Sequence, residues 1–347
     1  MKTLAEVKDE LKNYNGRPIK IMEVCGTHTG SIFMNGIRSL LSPKIQLISG
    51  PGCPVCVTST SYINRLVELS CLEKHCILTF GDMMKVKGTE YSLTEAKAIG
   101  AKVEILYSPL GAIAKAQASP DIQYVFAAVG FETTTPIYAL MMEEILAKDI
   151  KNLKLLTSIK TIIPALTFIC ENEQGIDAFL SPGHVSAIIG SKAYEGLAKR
   201  YHKPFVIAGF EGEHILAAVY DIITQLNTEK SLVTNRYQSV VTTEGNAKAK
   251  ELVERYFECV DDSWRGIGVI EGSALRLRKE YSAYDAGSER EYMEEKQPKG
   301  CRCTDVILGR IQPVECGLFK KVCTPMSAVG PCMVSTEGAC GIWYKNI

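Results

Sequence analysis

Ten short apolar runs, separated by stretches of helical periodicity, follow one another from Ile19 to Ile270, and this rhythm constrains the fold more than any other feature. The runs are Ile19–Val24, Ile45–Ser49, Cys76–Phe80, Val103–Tyr107 and Tyr124–Val129, then Leu153–Ser158, Val185–Ile189, Phe205–Ala208, Tyr237–Thr242 and Gly268–Ile270. Helical stretches between them include Ser61–Leu72, Pro136–Ala147, Glu213–Leu226 and Asn246–Glu258. Alternating strands and helices argue for an α/β fold with parallel sheets covered by helices. The expected domains are residues 1–147 and 148–270, both α/β, and 271–347. FAAVGFETTTP (Phe126–Pro136) and FVIAGFEGEHI (Phe205–Ile215) echo each other, each an apolar run, Gly-Phe-Glu and a helix. Chance and a pair of related lobes, with Glu132 and Glu211 at strand ends, are both open readings.

After Glu271 the chain becomes polar and charge-rich (EGSALRLRKEYSAYDAGSEREYMEEKQPKG), which reads as helix and linker. Beyond Gly300 periodicity nearly vanishes. Six of the thirteen cysteines crowd this last segment, at Cys301, Cys303, Cys316, Cys323, Cys332 and Cys340. So small a core needs a staple, and a cluster or disulfide supplies one. The start, MKTLAEVKDELKNYNGR, reads as an amphipathic helix without a signal-peptide core. No apolar stretch reaches membrane-spanning length, and a zero net charge without a basic run offers no nucleic-acid footprint. The expected compartment is the cytoplasm. There, cysteine clusters more often bind metal or cycle redox state than form permanent disulfides.

Chemistry-bearing motifs stand at the ends of expected strands, where open α/β sheets bind ligands. CGTHTG (Cys25–Gly30) brings a thiol, His28 and the hydroxyls of Thr27 and Thr29 to one turn. A helix starting there would lower the Cys25 pKa, while the competing reading is a buried structural cysteine. GPGCPVC (Gly50–Cys56) holds a proline-stiffened CxxC, Cys53 and Cys56. This is the spacing of a redox dithiol, the stronger reading, or of half a zinc site, for which Cys71, His75 and Cys76 are nearby in sequence but fall at a helix end and the start of an apolar strand. GFETTTP places Glu132 for acid–base or metal work, with Thr133 beside it and one threonine as helix cap before Pro136 at the first helical position. SPGHVS contributes His184. The six terminal cysteines match no zinc or ferredoxin spacing.

In this order MEVCGTHTG, GPGCPVC, GFETTTP, PGHVS and CRC…C…CTP…CMVSTEGAC resemble the HypD family of NiFe-hydrogenase maturation scaffolds, along nearly the whole chain. The resemblance implies two Rossmann-like domains and a loop-rich C-terminal 4Fe–4S domain similar to that of ferredoxin–thioredoxin reductase. It implies work with a HypC-like chaperone and a HypE-like cyanide donor to assemble the Fe(CN)2(CO) unit of the hydrogenase large subunit. It also implies Cys25 as the iron-binding cysteine with His28 beside it, and Cys53/Cys56 as a dithiol/disulfide pair. Cluster ligands would be Cys301, Cys316, Cys323 and Cys340, leaving Cys303 and Cys332 as a cluster-adjacent redox pair. Gly30 departs from the bulkier residue or second histidine that many members carry. A soft thiolate suits low-spin cyano–carbonyl iron, and cluster, disulfide and dithiol form a relay. The rival readings are a stand-alone iron–sulfur thiol–disulfide oxidoreductase and a zinc-stabilised binding module.

Overall fold

The computed structural model describes residues 2–289 and 297–347, so the middle of the charged stretch after Glu271 lies outside the described residues. Its strands are β1 (Ile19–Glu23), β2 (Ile45–Ser49), β3 (His75–Thr79), β4 (Val103–Ile105), β5 (Gln123–Gly130), β6 (Leu153–Lys160), β7 (Ala178–Pro182), β8 (Phe205–Ala208), β9 (Val233–Asn235), β10 (Phe257–Trp264) and β11 (Gly268–Leu277). They build one sheet in each of two compact units, and both units are discontinuous in sequence. The first comprises Met1–Cys53, Ala165–Ala247 and Gly300–Ile347, the second Pro54–Pro164 and Lys248–Lys299. Residues 147 and 270 both fall inside the second unit, and the terminal cysteine segment belongs to the first. Strand pairing gathers distant stretches of chain, which their order along the sequence does not reveal.

The first unit's sheet runs β2-β1-β7-β8-β9, parallel throughout. Counted within the unit, the order is 2-1-3-4-5, a doubly wound arrangement whose direction reverses between β1 and β7. Helices cover the central strands, so Ile21, Met22, Phe179, Val206 and Ile207 are fully buried. That is why these runs are continuously apolar rather than alternating. Burying each such side chain contributes about 1.5–3 kcal/mol. The rings of Phe179 and Phe205 stack across adjacent strands at 4.6 Å.

The second sheet runs β10-β11-β6-β5-β3-β4. Its parallel part again has the order 2-1-3-4, and an antiparallel hairpin, β10–β11, extends it beyond β6. Phe126, Tyr138, Met141 and Met142 centre its core. The buried Tyr138 hydroxyl donates to the Val129 carbonyl at 2.8 Å. The Gly-Phe-Glu echo thus lies at two sheet edges, but β5 is third in its unit's strand order and β8 fourth in its own. The two motifs do not occupy equivalent positions.

Three expectations are corrected. Val185–Ile189 lies in a helix, Gly183–Ile189, and the strand before it is AFLSP, Ala178–Pro182; a five-residue apolar run does not distinguish helix from strand by periodicity. Tyr237–Thr242 is a turn organised by Asn235, whose side chain accepts from the Tyr237 amide at 2.9 Å and donates to the Val241 carbonyl at 2.7 Å. The polar stretch after Glu271 continues as β11 to Leu277, paired with β10 on one side and β6 on the other. Among the described residues no helix is long and apolar enough to cross a membrane.

The terminal segment is fastened to its unit from outside. Arg310 clasps Glu173 with two nitrogens, at 2.6 and 3.0 Å. The Trp343 ring meets Phe33 edge-on at 4.9 Å. Because Glu173 is nearly buried while Arg310 is half exposed, Arg310→Ala is expected to cost on the order of 1–2 kcal/mol in chemical denaturation. Arg310→Lys should recover only part, since an ammonium cannot make the two-pronged bond. An unchanged midpoint in Arg310→Ala would show that the clasp does not hold the segment.

Candidate functional site

Cys25 follows β1 directly, at the reversal point of the first sheet, and stands as the N-cap of the helix Gly26–Met34. Two close approaches hold it there. A Cβ on Gly52 would sit 2.5 Å from the Cys25 Cα, and a Cβ on Gly26 would sit 2.3 Å from the Glu337 carbonyl oxygen. Only glycine at both positions lets the GPGC loop and the terminal segment cross so close to the thiol. The expected helix is present, but it does not lower the thiol pKa. Burial pushes the Cys25 thiol up, and the opposing amides of His28 and Thr27 with the Thr27 hydroxyl are outweighed. A soft cation, if bound there, would reverse that balance, because a coordinating thiol is deprotonated outright.

His28 is completely buried. Its Nε2 faces the carbonyls of Ala208 and Gly209 at 3.3 and 3.2 Å, past the end of β8. Carbonyls only accept, so Nε2 carries the proton and Nδ1 presents its lone pair, with no partner among the described residues. Burial lowers the His28 pKa to about 4, so the ring is neutral at physiological pH and able to ligate. Phe210 contacts His28 at 4.7 Å and His184 at 4.2 Å, so the PGHVS motif reaches the same edge. His184 itself is exposed, and Thr27 is half-buried. Cys53 is buried in this unit.

In the same unit, the terminal cysteines surround a small cavity lined by Cys301, Cys303, Cys316, Cys323 and Cys340 with Leu318, Phe319 and Met333. Cys332 is not among the lining residues. Cys303 lies within bonding reach of the Cys301, Cys332 and Cys340 thiols. Cys301 favours its thiolate, but Cys332, Cys340 and burial together hold the thiol well above its ordinary value. The Val329 amide donates to the Cys323 sulfur at 3.3 Å. No two cysteines are joined as a disulfide among the described residues. No three His, Cys, Asp or Glu side chains among them converge as one ion requires. Five thiols around an apolar hollow suit a cluster better than a single ion. The zinc reading loses its ligands: Cys71 caps an exposed helix end, and the Cys76 sulfur faces Glu104 at 3.7 Å.

In the second unit, Cys56 is buried in the short helix Pro54–Val57. Thr58 bridges to Trp264 of β10, and the Arg265 amide donates to the Val57 carbonyl at 2.9 Å. Glu132 is buried past β5; one oxygen accepts from the Ile162 amide at 2.7 Å, and the other has no partner among the described residues. Burial pushes its pKa up to about 7. Thr133 is exposed. Thr134 stands at the N-cap without a side-chain bond, which places Pro136 second in the helix rather than first.

With this geometry in view, the profile described as "HypD: Hydrogenase formation hypA family" matches residues 1–347. The chain belongs to the HypD family. A relative from Escherichia coli K12, named hydrogenase maturation factor HypD, is 42% identical over 335 residues, 95% of this chain and 89% of its own length. Relatives of the same name from Rhodobacter capsulatus and Azotobacter vinelandii are 37% and 40% identical. They cover 99% and 94% of this chain, and 93% and 89% of their own lengths.

Two residues of this HypD-family site escaped the reading of motifs. Glu23, at the end of β1, has a fully buried side chain, and burial pushes its pKa up to about 7 despite Arg38 and Ser49. Arg38 binds one of its oxygens at 3.1 Å. The signal was available as a lone carboxylate in the apolar run IKIMEV, two residues before Cys25.

A pH dependence follows for Glu132. Its folded pKa, about 7, lies above the ordinary 4.5, so between those values the folded state binds more protons than the unfolded state. Its contribution to stability is therefore complete below about pH 4.5 and is lost as the pH rises through 7, by up to about 3 kcal/mol. Glu132→Gln should flatten this part of the stability–pH curve, measured by urea denaturation from pH 5 to 8. An identical curve in the variant would refute the burial argument.

Proposed function

We propose that this chain is a hydrogenase maturation factor. It serves as a scaffold on which the iron of the Fe(CN)2(CO) unit is held as cargo at Cys25 while its cyanide and CO ligands are added. The observation that carries the reading is a thiol at a sheet's reversal point. Three residues on in the chain stands a neutral imidazole with an open Nδ1, and the same compact unit holds a cysteine-lined cavity. Thiolate and imidazole are suitable donors for low-spin iron. His28, near Cys25 in the chain, is fully buried, while Cys25 itself keeps partial access for incoming ligands.

The terminal segment is read as a 4Fe–4S domain of the ferredoxin–thioredoxin reductase kind, with Cys301, Cys316, Cys323 and Cys340 as cluster ligands. All four line the cavity, as Cys303 also does, so the choice among the five rests on the family resemblance. When bound, such a cluster supplies electrons one at a time. Cys303 stands against both this cavity and Cys332, which suits the two as a thiol pair. Cys53 and Cys56 are the second dithiol. Exchange between a dithiol and a disulfide moves two electrons and two protons and forms one S–S bond for each one broken. Glu132, with its raised pKa, is a candidate for taking or giving a proton in its own unit. The partners are a HypC-like chaperone and a HypE-like cyanide donor, and indirectly the large subunit of a NiFe-hydrogenase; the setting is cytoplasmic.

The anchor is tested by Cys25→Ala. The folded variant, prepared anaerobically, should retain about four iron and four sulfide per chain. It should lose the cyanide and CO infrared bands of the assembled complex, and hydrogenase maturation should stop. Persistence of those bands would move the anchor elsewhere. Cys323→Ala should instead remove iron and sulfide and loosen the terminal segment. Stoichiometric zinc in place of iron in the parent protein would defeat the cluster assignment.

A further inference from the structure

We propose that Arg38 is a positioning residue that sets how Cys25 stands against the cysteine-rich segment; what the positioning serves rests on reading Cys25 as the iron anchor. Arg38 lies in the short turn Ile37–Leu40, and its guanidinium touches four separate elements. Along its edge, Nη1 donates to the Leu47 carbonyl of β2 at 2.6 Å and Nη2 to the Glu23 carboxylate of β1 at 3.1 Å. Across its face, it lies 4.8 Å from the Trp343 ring and 5.3 Å from the Phe33 ring. Phe33 belongs to the helix that begins after Cys25, and Trp343 to the helix that carries Cys340. Only a planar cation can bond along its edge and stack on its face at once; an ammonium can do one or the other.

The polar accounting points the same way. Arg38 Nε, the second Glu23 oxygen and Trp343 Nε1 are all buried without partners among the described residues. A buried polar group left unmet carries a penalty. The arrangement is nevertheless imposed by the surrounding fold. The turn just before the terminal helix makes a second contact with the helix after Cys25, the Glu337 carbonyl against Gly26. A shift of the terminal helix therefore has no slack to absorb it before it reaches the backbone beside Cys25. Arg38 holds that helix and the Cys25 strand in one register.

The test uses the full chain purified anaerobically, with iodoacetamide alkylation of Cys25 followed by peptide mass spectrometry and thermal midpoints measured in parallel. Arg38→Lys keeps a cation for Glu23 but loses the stack, and Trp343→Leu removes the ring. Each should raise the Cys25 alkylation rate about tenfold through easier local opening, with Cys76 in the second unit unchanged. Trp343→Phe, which retains an aromatic face, should return the rate close to that of the parent. A lowered thermal midpoint with the parent Cys25 rate would overturn the proposal. So would equal acceleration at Cys25 and Cys76, which would mean global loosening. If Arg38→Lys does not fold, the comparison of Trp343→Leu with Trp343→Phe decides alone. Should Cys25→Ala support maturation while these rates change as expected, the anchor reading fails and the positioning role of Arg38 stands.

Discussion

The parallel pairing of β1 between β2 and β7 is the constraint on which the site depends. In a sheet of order 2-1-3-4-5, the segments leaving β1 and β7 diverge to opposite faces and open a crevice at the carboxyl edge. Cys25 leaves β1 at that point, and His184 follows β7. The loop bearing Cys53 leaves β2 and crosses the Cys25 backbone at Gly52. Strand pairing thus concentrates three motifs that lie far apart in sequence. The cost is close packing, since a side chain at Gly52 or Gly26 would collide with backbone.

Burial is the second organising influence, and it acts alike on unlike groups. It lowers the pKa of His28 and raises those of Cys25, Glu23 and Glu132, so in each case it favours the uncharged form. Three of them, His28, Glu23 and Glu132, also keep a polar atom without a partner among the described residues. The end of β8, far from His28 in sequence, orients its ring: the Ala208 and Gly209 carbonyls fix the Nε2 proton, and that fixes which nitrogen remains open.

The terminal segment illustrates how a small core can be held from its rim. Its own helices are short, and its interior is a thiol-lined hollow. Order comes from contacts with the rest of the first unit: Arg310 on Glu173, Trp343 on Phe33 and Arg38, and Glu337 on Gly26. Aromatic and cationic anchors on the rim hold the segment while five thiols face the hollow.

The sequence by itself determined the α/β class, most strand positions and the motifs at strand ends, because apolar runs and Gly-rich turns are local signals. Phe205–Ala208 and Ile45–Ser49 were legible to the residue. The family was legible as well, since five cysteine-, glycine- and histidine-containing motifs in fixed order are far more specific than any one of them. Only the tertiary structure decided which strands share a sheet, for pairing joins stretches such as β1 and β7 that local pattern does not connect. It alone gave the cysteine segment to the first unit, made Val185–Ile189 helical and put the Gly-Phe-Glu echo at non-equivalent positions. The direction of the Cys25 pKa shift also came from the fold: a helix start can be read from the sequence, but the burial that outweighs it is the sum of every neighbour the fold brings near. Arg38 lies in no motif and Glu23 carries no assigned role within MEVCGTHTG; their roles exist only because four separate elements meet around one guanidinium.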